Sequence, residues 1–149
     1  MKAIPAGPLL FDTGIYIRFS RGEDYAWLIE DERIFRRTFL TAVVAAELYA
    51  GTRDRQEKRL LDELCRSYQL QGRFLSPPAT AWIETGILLR RGRETFGQMD
   101  FVHHFRDLLV ALEAVRVGAT LLAENVRDFD RWKALLGSGN KTLEVFDPA

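Results

Sequence analysis

The sequence of 149 residues has one cysteine, five prolines and no long hydrophobic run. A single cysteine excludes an intrachain disulfide framework and a zinc site built from several cysteines. Apolar runs such as residues 43–46 and 108–112 fall far short of the roughly 20 residues that a membrane-spanning helix needs. With 47% hydrophobic and 11% aromatic residues, the composition argues against disorder and predicts a globular protein without a membrane-spanning segment.

The sequence also lacks an excess of charge of either sign, since 21 basic residues balance 21 acidic ones. The protein therefore has no overall basic field for nonspecific binding of nucleic acid, and any such contact must use a local patch. Pro5 and Pro8 interrupt the apolar residues near the N-terminus, a pattern that does not match a secretory signal. We expect a cytoplasmic protein.

Short apolar strands alternate with helices along the whole sequence. Residues 9–11 predict a buried strand that is followed by a helix after Thr13, and a second strand leads into a helix over residues 42–50 that ends at Gly51. Further strands are expected at 73–75, 119–123 and 143–146. This alternation predicts an α/β fold, with a central parallel sheet covered on both faces by helices, in one domain over residues 1–149.

The sequence predicts two further helices in the second half of the chain. One begins after Ser76–Pro77 and is predicted to end at Gly92, and the other covers residues 108–117. In the second helix, Glu113 and Arg116 are expected to form a solvated pair. The apolar face of the first helix is predicted to consist of Ala79, Trp82, Ile83, Gly86 and Ile87.

Asp12 and Asp128 each follow a predicted strand. In an open parallel sheet, ligands bind outside the carboxyl ends of the strands, so polar residues at these positions are candidates for a functional site. Aspartate is also a preferred residue at helix N-termini, and helix capping is the competing role for each residue taken alone.

Glu47 and Asp107 are acidic residues on apolar helix faces. The residues three and four positions from Glu47 are apolar or glycine, and Val110 and Ala111 occupy those positions after Asp107. Burial of an unpaired carboxylate is unfavourable, so such groups pair with a cation, become protonated or hold a metal. Neither residue has a basic partner at helical spacing.

The four acids are expected near one edge of the sheet, where they would repel one another unless a cation balances them. Oxygen ligands suit Mg²⁺ or Mn²⁺, whereas the adjacent His103 and His104 cannot share a helical face as zinc ligands would. Neutralisation by arginines such as Arg106 and Arg127, without metal, is the alternative. Spacing alone also leaves Asp130 as an alternative fourth acid.

Four motifs in this order resemble the PIN-domain family, and specifically the VapC-type toxin ribonucleases of type II toxin–antitoxin pairs. The resemblance covers nearly the whole chain. The motifs are Leu10-Phe11-Asp12-Thr13, Ala46-Glu47-Leu48-Tyr49-Ala50-Gly51, Asp107-Leu108-Leu109-Val110-Ala111 and Asn125-Val126-Arg127-Asp128-Phe129.

The resemblance implies a three-layer α/β/α sandwich in which four carboxylates hold Mg²⁺ or Mn²⁺ for hydrolysis of RNA. It selects Asp128 over Asp130 as the fourth acid, and it implies supporting roles for Thr13 and Asn125, with helix capping as the competing role of Thr13. It also implies a small antitoxin protein as partner, and a homodimer. The expected catalytic and metal-binding residues are Asp12, Glu47, Asp107 and Asp128.

One departure from the family pattern leaves a second function open. Relatives commonly have Thr or Ser two residues before the asparagine of the fourth motif, where this sequence has Ala123. The alternative is a binding module of the same fold with weak or vestigial nuclease activity. Phosphoaspartyl chemistry fits poorly, because the dehalogenase pattern has a second aspartate where this chain has Gly14.

Overall fold

A computed structural model describes residues 2–149, and its five strands form one parallel sheet in the order β3-β2-β1-β4-β5. The short strands β1 and β4 lie at the centre of the sheet, and β1 is completely covered. The strands are β1 (Leu9–Phe11), β2 (Thr38–Thr41), β3 (Phe74–Leu75), β4 (Thr120–Leu122) and β5 (Glu144–Phe146).

Helices cover the sheet and give the α/β/α sandwich that the sequence predicts. Among residues 2–149, no helix is both long and apolar enough to cross a bilayer. The helices are α1 (Thr13–Ser20), α2 (Ala26–Ile29), α3 (Glu32–Phe35), α4 (Ala42–Ala50), α5 (Arg55–Leu70), α6 (Ala79–Phe96), α7 (Phe101–Arg116) and α8 (Asp130–Ser138), with a 3₁₀ turn at Val126–Phe129.

The register of the central strands brings their carboxyl ends to one edge. Leu10 pairs with Phe39 of β2 and with Leu121 of β4. The backbone N–H of Asp12 then continues the ladder by donating to the carbonyl oxygen of Leu122 at 2.9 Å. The residues that follow β1, β2 and β4 therefore lie side by side at this edge.

Side-chain caps begin the helices that lead into and away from this edge. Thr41 Oγ1 accepts a hydrogen bond from the backbone N–H of Val43 at 3.3 Å, which starts α4 where the sequence predicts it. Asp100 Oδ1 accepts from the N–H of His103 at 3.0 Å and starts α7 seven residues earlier than the apolar run indicates. The cap therefore adds the polar turns of α7 that carry Asp107.

The face of α6 that the sequence predicts as apolar is turned to solvent. Ile83 is 65% exposed, and Trp82 and Ile87 are also exposed. The opposite face, which includes Leu88 and Leu89, packs into the core. Both faces carry apolar residues, so periodicity alone did not determine which one meets the sheet.

Gly92 does not end α6, contrary to the sequence prediction. The helix continues to Phe96 and ends at Gly97, whose φ of +83° favours glycine. Gly92 is buried inside the helix, and a Cβ atom there would collide with the sulfur of Met99 and press on Leu135. Close packing, rather than helix termination, explains this glycine.

Glu113 also departs from the expectation of a solvated pair. Its side chain is 0% exposed, and both carboxylate oxygens accept hydrogen bonds from Arg116, at 3.0 and 2.8 Å. The pair is thus a buried carboxylate held by a half-exposed arginine. Cys65, the single cysteine, is a buried free thiol, and burial raises its pKa.

Candidate acidic site

The site begins at the end of the central strand β1. Asp12 occupies the N-cap position of α1, but its side chain caps no backbone N–H. The next residue, Thr13, is buried and also directs its hydroxyl away from the helix backbone, donating to Glu47 Oε1 at 2.9 Å. The capping roles considered for Asp12 and Thr13 are therefore not the roles of these side chains in the structure.

Glu47 and Asp107 come from two helices that pack against each other. Glu47 lies in the second half of α4, and Asp107 lies in the second turn of α7. The backbone of α7 beyond Asp107 is anchored by completely buried residues, among them Val110 and Ala111. The apolar helix faces thus fix the positions of the two carboxylates at the edge of the sheet.

The guanidinium group of Arg106 lies among these three acids. Nη2 donates to Asp12 Oδ1 at 2.5 Å and to Thr13 Oγ1 at 2.6 Å, and Nη1 donates to Asp107 Oδ1 at 2.5 Å. Nε donates to Glu47 Oε1. One cation therefore joins Asp12, which follows β1, to residues of α1, α4 and α7, and we refer to Asp12, Glu47 and Asp107 as the acidic cluster.

The neighbouring carboxylates determine the pKa of Arg106. Burial by itself lowers the pKa of a guanidinium, but the charge of Asp12 and the hydrogen bonds to Glu47 and Asp12 outweigh it and raise the pKa of Arg106 above its ordinary value. Arg106 is thus held as a cation. Three formal negative charges surround one positive charge, so the cluster keeps an excess of negative charge.

The chemistry of the acidic cluster fits a hard divalent cation, although its present arrangement is built around an arginine. All side-chain donors are carboxylate or hydroxyl oxygens, the ligands that Mg²⁺ and Mn²⁺ prefer. Within residues 2–149, however, no three acidic, histidine or cysteine side chains gather closely enough to form a metal-ligand group. Each carboxylate binds a different nitrogen of Arg106, which spreads the oxygens around the planar guanidinium.

Asp128 and Asn125 lie at the same edge but outside the contacts of Arg106. Both are exposed and belong to the loop and 3₁₀ turn that follow β4. The backbone N–H of Asp128 donates to the carbonyl of Asn125 at 3.0 Å, and the side chain of Asn125 makes no cap hydrogen bond. Of the four acids selected from the sequence, Arg106 therefore joins three.

Ala123, where the sequence departs from the family pattern, is followed by a glutamate that pairs with an arginine. Ala123 is buried, so its methyl group lies where a hydroxyl would be enclosed by the core. The neighbouring Glu124 is held by Arg18, whose Nη1 donates to Oε2 at 2.8 Å. Glu124 is thus already paired with a cation and does not contribute to the acidic cluster.

The histidines do not join the acidic cluster either. His103 is exposed, and its Nδ1 lies 2.6 Å from the helix-capping carboxylate of Asp100. The His104 ring packs against Trp132 with a centroid distance of 5.5 Å. Both histidines therefore make their contacts outside the acidic cluster.

The sequence suggested Arg106 and Arg127 only as possible neutralising groups. In the structure, the two arginines have different surroundings. Arg106 lies among the acids, whereas Arg127 is exposed in the 3₁₀ turn. The signal in the sequence is a basic residue directly before an acidic one at the start of an apolar helix. It was insufficient because helical spacing does not predict contacts with residues far along the chain, and Asp12 is 94 residues away.

An apolar groove adjoins the acidic cluster. It lies between α1, α4 and α5, and Glu47 is one of its lining residues. The remaining lining is largely apolar and includes Leu48, Leu60 and Leu64. The groove therefore shares one carboxylate with the acidic cluster.

Comparison with solved structures identifies chains of the same architecture. FitAB bound to an IR36 DNA fragment is 17% identical with a TM-score of 0.66, and the match covers 94% of each chain. VapBC-1 from nontypeable Haemophilus influenzae is 20% identical with a TM-score of 0.62, covering 93% of this chain and 96% of that one. FitAcB from Neisseria gonorrhoeae is 23% identical with a TM-score of 0.62, covering 94% and 97%.

The sequence matches no protein-family profile and no curated protein. The structural likeness extends over nearly the full length of the chain, and it establishes the fold as the PIN-type α/β/α fold. This is the fold that the four sequence motifs imply.

Proposed function

We propose that the protein is a Mg²⁺- or Mn²⁺-dependent endoribonuclease that acts as the toxin of a type II toxin–antitoxin pair. The observation that carries this proposal is the convergence of Asp12, Glu47 and Asp107 on one cation at the carboxyl edge of a parallel sheet. The resemblance of four motifs to VapC-type toxins and the shared fold of VapBC and FitAB chains support it.

Each residue of the site has a proposed role. Asp12, Glu47 and Asp107 would hold the divalent cation, with Asp128 as the fourth carboxylate from the loop after β4. When bound, Mg²⁺ or Mn²⁺ supplies activation of water and stabilisation of the charge that develops during phosphodiester hydrolysis. Thr13 positions the Glu47 carboxylate through its hydrogen bond. Asn125 and Asp128 are the exposed members, and we expect them to meet substrate first.

The protein partner that we propose is a small antitoxin. The solved chains that share this fold come from VapBC and FitAB, which are toxin–antitoxin complexes. The apolar groove between α1, α4 and α5 is a suitable surface for such a partner, because a segment that fills it would contact Glu47. Binding there would block access to the acidic cluster.

A homodimer is proposed together with this function. The exposed apolar face of α6 continues onto the start of α7 through stacked rings, with centroid distances of 5.9 Å for Trp82 and Phe105 and 5.0 Å for Phe101 and Phe105. Contiguous apolar surface of this kind is typical of an interface.

An enzyme that acts on cellular RNA would be cytoplasmic.

A second candidate function is a PIN-fold binding module with vestigial nuclease activity. Its support is Arg106, which already neutralises part of the acidic cluster without metal. In that case the acidic edge would bind cationic groups rather than support hydrolysis. The two functions differ in whether RNA is cleaved.

The test is cleavage of a mixed pool of cellular RNA by the purified protein in Mg²⁺, in EDTA and with the Asp107→Asn variant. The nuclease predicts cleavage that requires the metal and is lost in the variant. The matched control is Asp62→Asn, which removes a carboxylate of α5 that pairs with Lys58 outside the site. Absence of cleavage under all conditions, with no thermal stabilisation by Mg²⁺, favours the binding module.

A further inference from the structure

Arg106 makes more contacts with the acidic cluster than a surface ion pair would. Its three guanidinium nitrogens bind three carboxylates from three different elements, and Thr13 adds a fourth acceptor. A planar fork of donors is suited to such multiple contacts, whereas most exposed pairs use one. The arginine therefore fills the centre of the cluster.

The contacts of Arg106 use oxygens that a divalent cation would need. Asp12 Oδ1, Glu47 Oε1 and Asp107 Oδ1 are each engaged with a separate nitrogen of the guanidinium. These oxygens are kept apart around the plane of the group, and no compact ligand set exists within residues 2–149. A small cation requires the same oxygens to approach one point.

Arg106 also has a route out of the cluster. Its side chain is 21% exposed, so the site is not closed over it and part of the side chain reaches solvent. Its flexible stem starts from the second turn of α7, and hydration by this solvent would compensate for lost hydrogen bonds. The backbone of α7 does not need to move.

We propose that Arg106 is an internal competitor of the divalent cation, so that the guanidinium and the metal occupy the acidic cluster alternately. This inference rests on the proposed metal site. It adds a second state to that site, in which the metal-free protein is stabilised by its own arginine and metal binding requires Arg106 to turn out to solvent. The metal affinity of the protein is thereby lowered by the strength of the arginine contacts.

The first experiment uses the wild-type protein and does not depend on RNA cleavage. The NMR signal of the Arg106 Nε–H, assigned with Arg106→Lys, is followed during titration with Mg²⁺, together with the backbone amides of Asp12 and Asp107. We expect the Nε–H signal to change to that of a solvated arginine as the amide signals shift. Amide shifts with an unchanged Nε–H signal would overturn the competition, because both cations would then be bound together.

The second experiment compares Mn²⁺ affinities of the wild type, Arg106→Gln, Arg106→Lys and Arg127→Gln, measured by the loss of the free Mn²⁺ electron paramagnetic resonance signal. Arg127 is the matched control, since it is an exposed arginine beside Asp128 that lies outside the cluster. We expect Arg106→Gln to bind Mn²⁺ at least about tenfold more tightly, because the competing charge within the cluster is removed. Arg106→Lys should increase the affinity less, and Arg127→Gln by under about threefold.

The outcomes separate this inference from the proposed function. Equal affinities of Arg106→Gln and Arg127→Gln would overturn the competition and leave the metal site in place. Absence of Mn²⁺ binding in the wild type and in Arg106→Gln alike would overturn the metal site itself, and the competition with it. Binding by Arg106→Gln alone would support the competition in its strongest form.

Discussion

The hydroxyl of Thr13 donates a hydrogen bond of 2.9 Å to Oε1 of Glu47, across 34 residues of sequence. Thr13 is buried at the start of α1, whereas the Glu47 side chain is 40% exposed. The buried hydroxyl thus restricts the half-exposed Glu47 carboxylate, together with Arg106, which donates to the same Oε1 atom. The contact links the first and second sequence motifs, and Arg106 also donates to the Thr13 hydroxyl oxygen.

We expect Thr13→Val to reduce RNA cleavage by about 10- to 100-fold, because loss of an outer hydrogen-bond partner misorients a metal-ligating carboxylate. The measurement is the initial rate on a labelled RNA at saturating Mg²⁺. Thr13→Ser keeps the hydroxyl and should retain most of the activity. A Val variant as active as the Ser variant would show that Thr13 is only a packing residue.

Substitution of Asp128 and of Asp130 tests which of the two is the fourth acid, because spacing in the sequence left both possible. Asp128 lies in the 3₁₀ turn after β4, and Asp130 is the first residue of α8. Asp128→Asn should strongly reduce cleavage, while Asp130→Asn should behave like the wild type, because only Asp128 matches the family motif. The two rates are compared under identical Mg²⁺ concentrations. A reversed pattern would assign the fourth acid to Asp130.

The exposed apolar face of α6 predicts a change of oligomeric state on mutation. We expect Ile83→Glu to shift a dimer to a monomer in analytical ultracentrifugation, because a charge in a desolvated interface has no partner. Leu70→Glu is the matched control, since Leu70 is 78% exposed at the end of α5, away from that face. If the wild type sediments as a monomer, the proposed dimer is wrong.

The buried carboxylate of Glu113 predicts an effect on stability that leaves the site intact. Arg116→Met removes both of its hydrogen bonds, and we expect a loss of about 1–3 kcal/mol in the free energy of unfolding. The lower part of that range applies, because Arg116 is 44% exposed and water can enter when it is removed. Urea denaturation measures the change. Arg90→Met, an exposed position on α6, should change stability by less than about 0.5 kcal/mol.

Much of the fold follows from local signals in the sequence. The buried run Leu9–Phe11 and the helix-forming residues 42–50 before Gly51 predict β1 and α4 correctly, because these features act within a few residues. The exposed face of α6 and the burial of Gly92 could not be predicted in this way. Both depend on which side of the helix meets α7 and α8, which is determined by packing between distant segments.

The candidate site was predictable to a smaller extent. Strand ends selected Asp12 and Asp128, and apolar helix faces selected Glu47 and Asp107; the structure gathers three of these acids around Arg106, and the motifs favoured Asp128 over Asp130. The central position of Arg106 was not predictable, because its contacts with Asp12 and Glu47 cross 94 and 59 residues. Nothing in the local spacing indicates that an arginine beside Asp107 turns toward strand β1.

We propose above all that the acidic cluster performs metal-dependent cleavage of RNA. The most direct measurement compares wild type and Asp12→Asn on one end-labelled RNA at saturating Mg²⁺, with thermal melting as a control for folding. We predict a cleavage rate at least about 100-fold lower for the variant, because a carboxylate that holds the divalent cation is lost. The variant should remain folded. Equal cleavage by a folded Asp12→Asn protein would contradict the account.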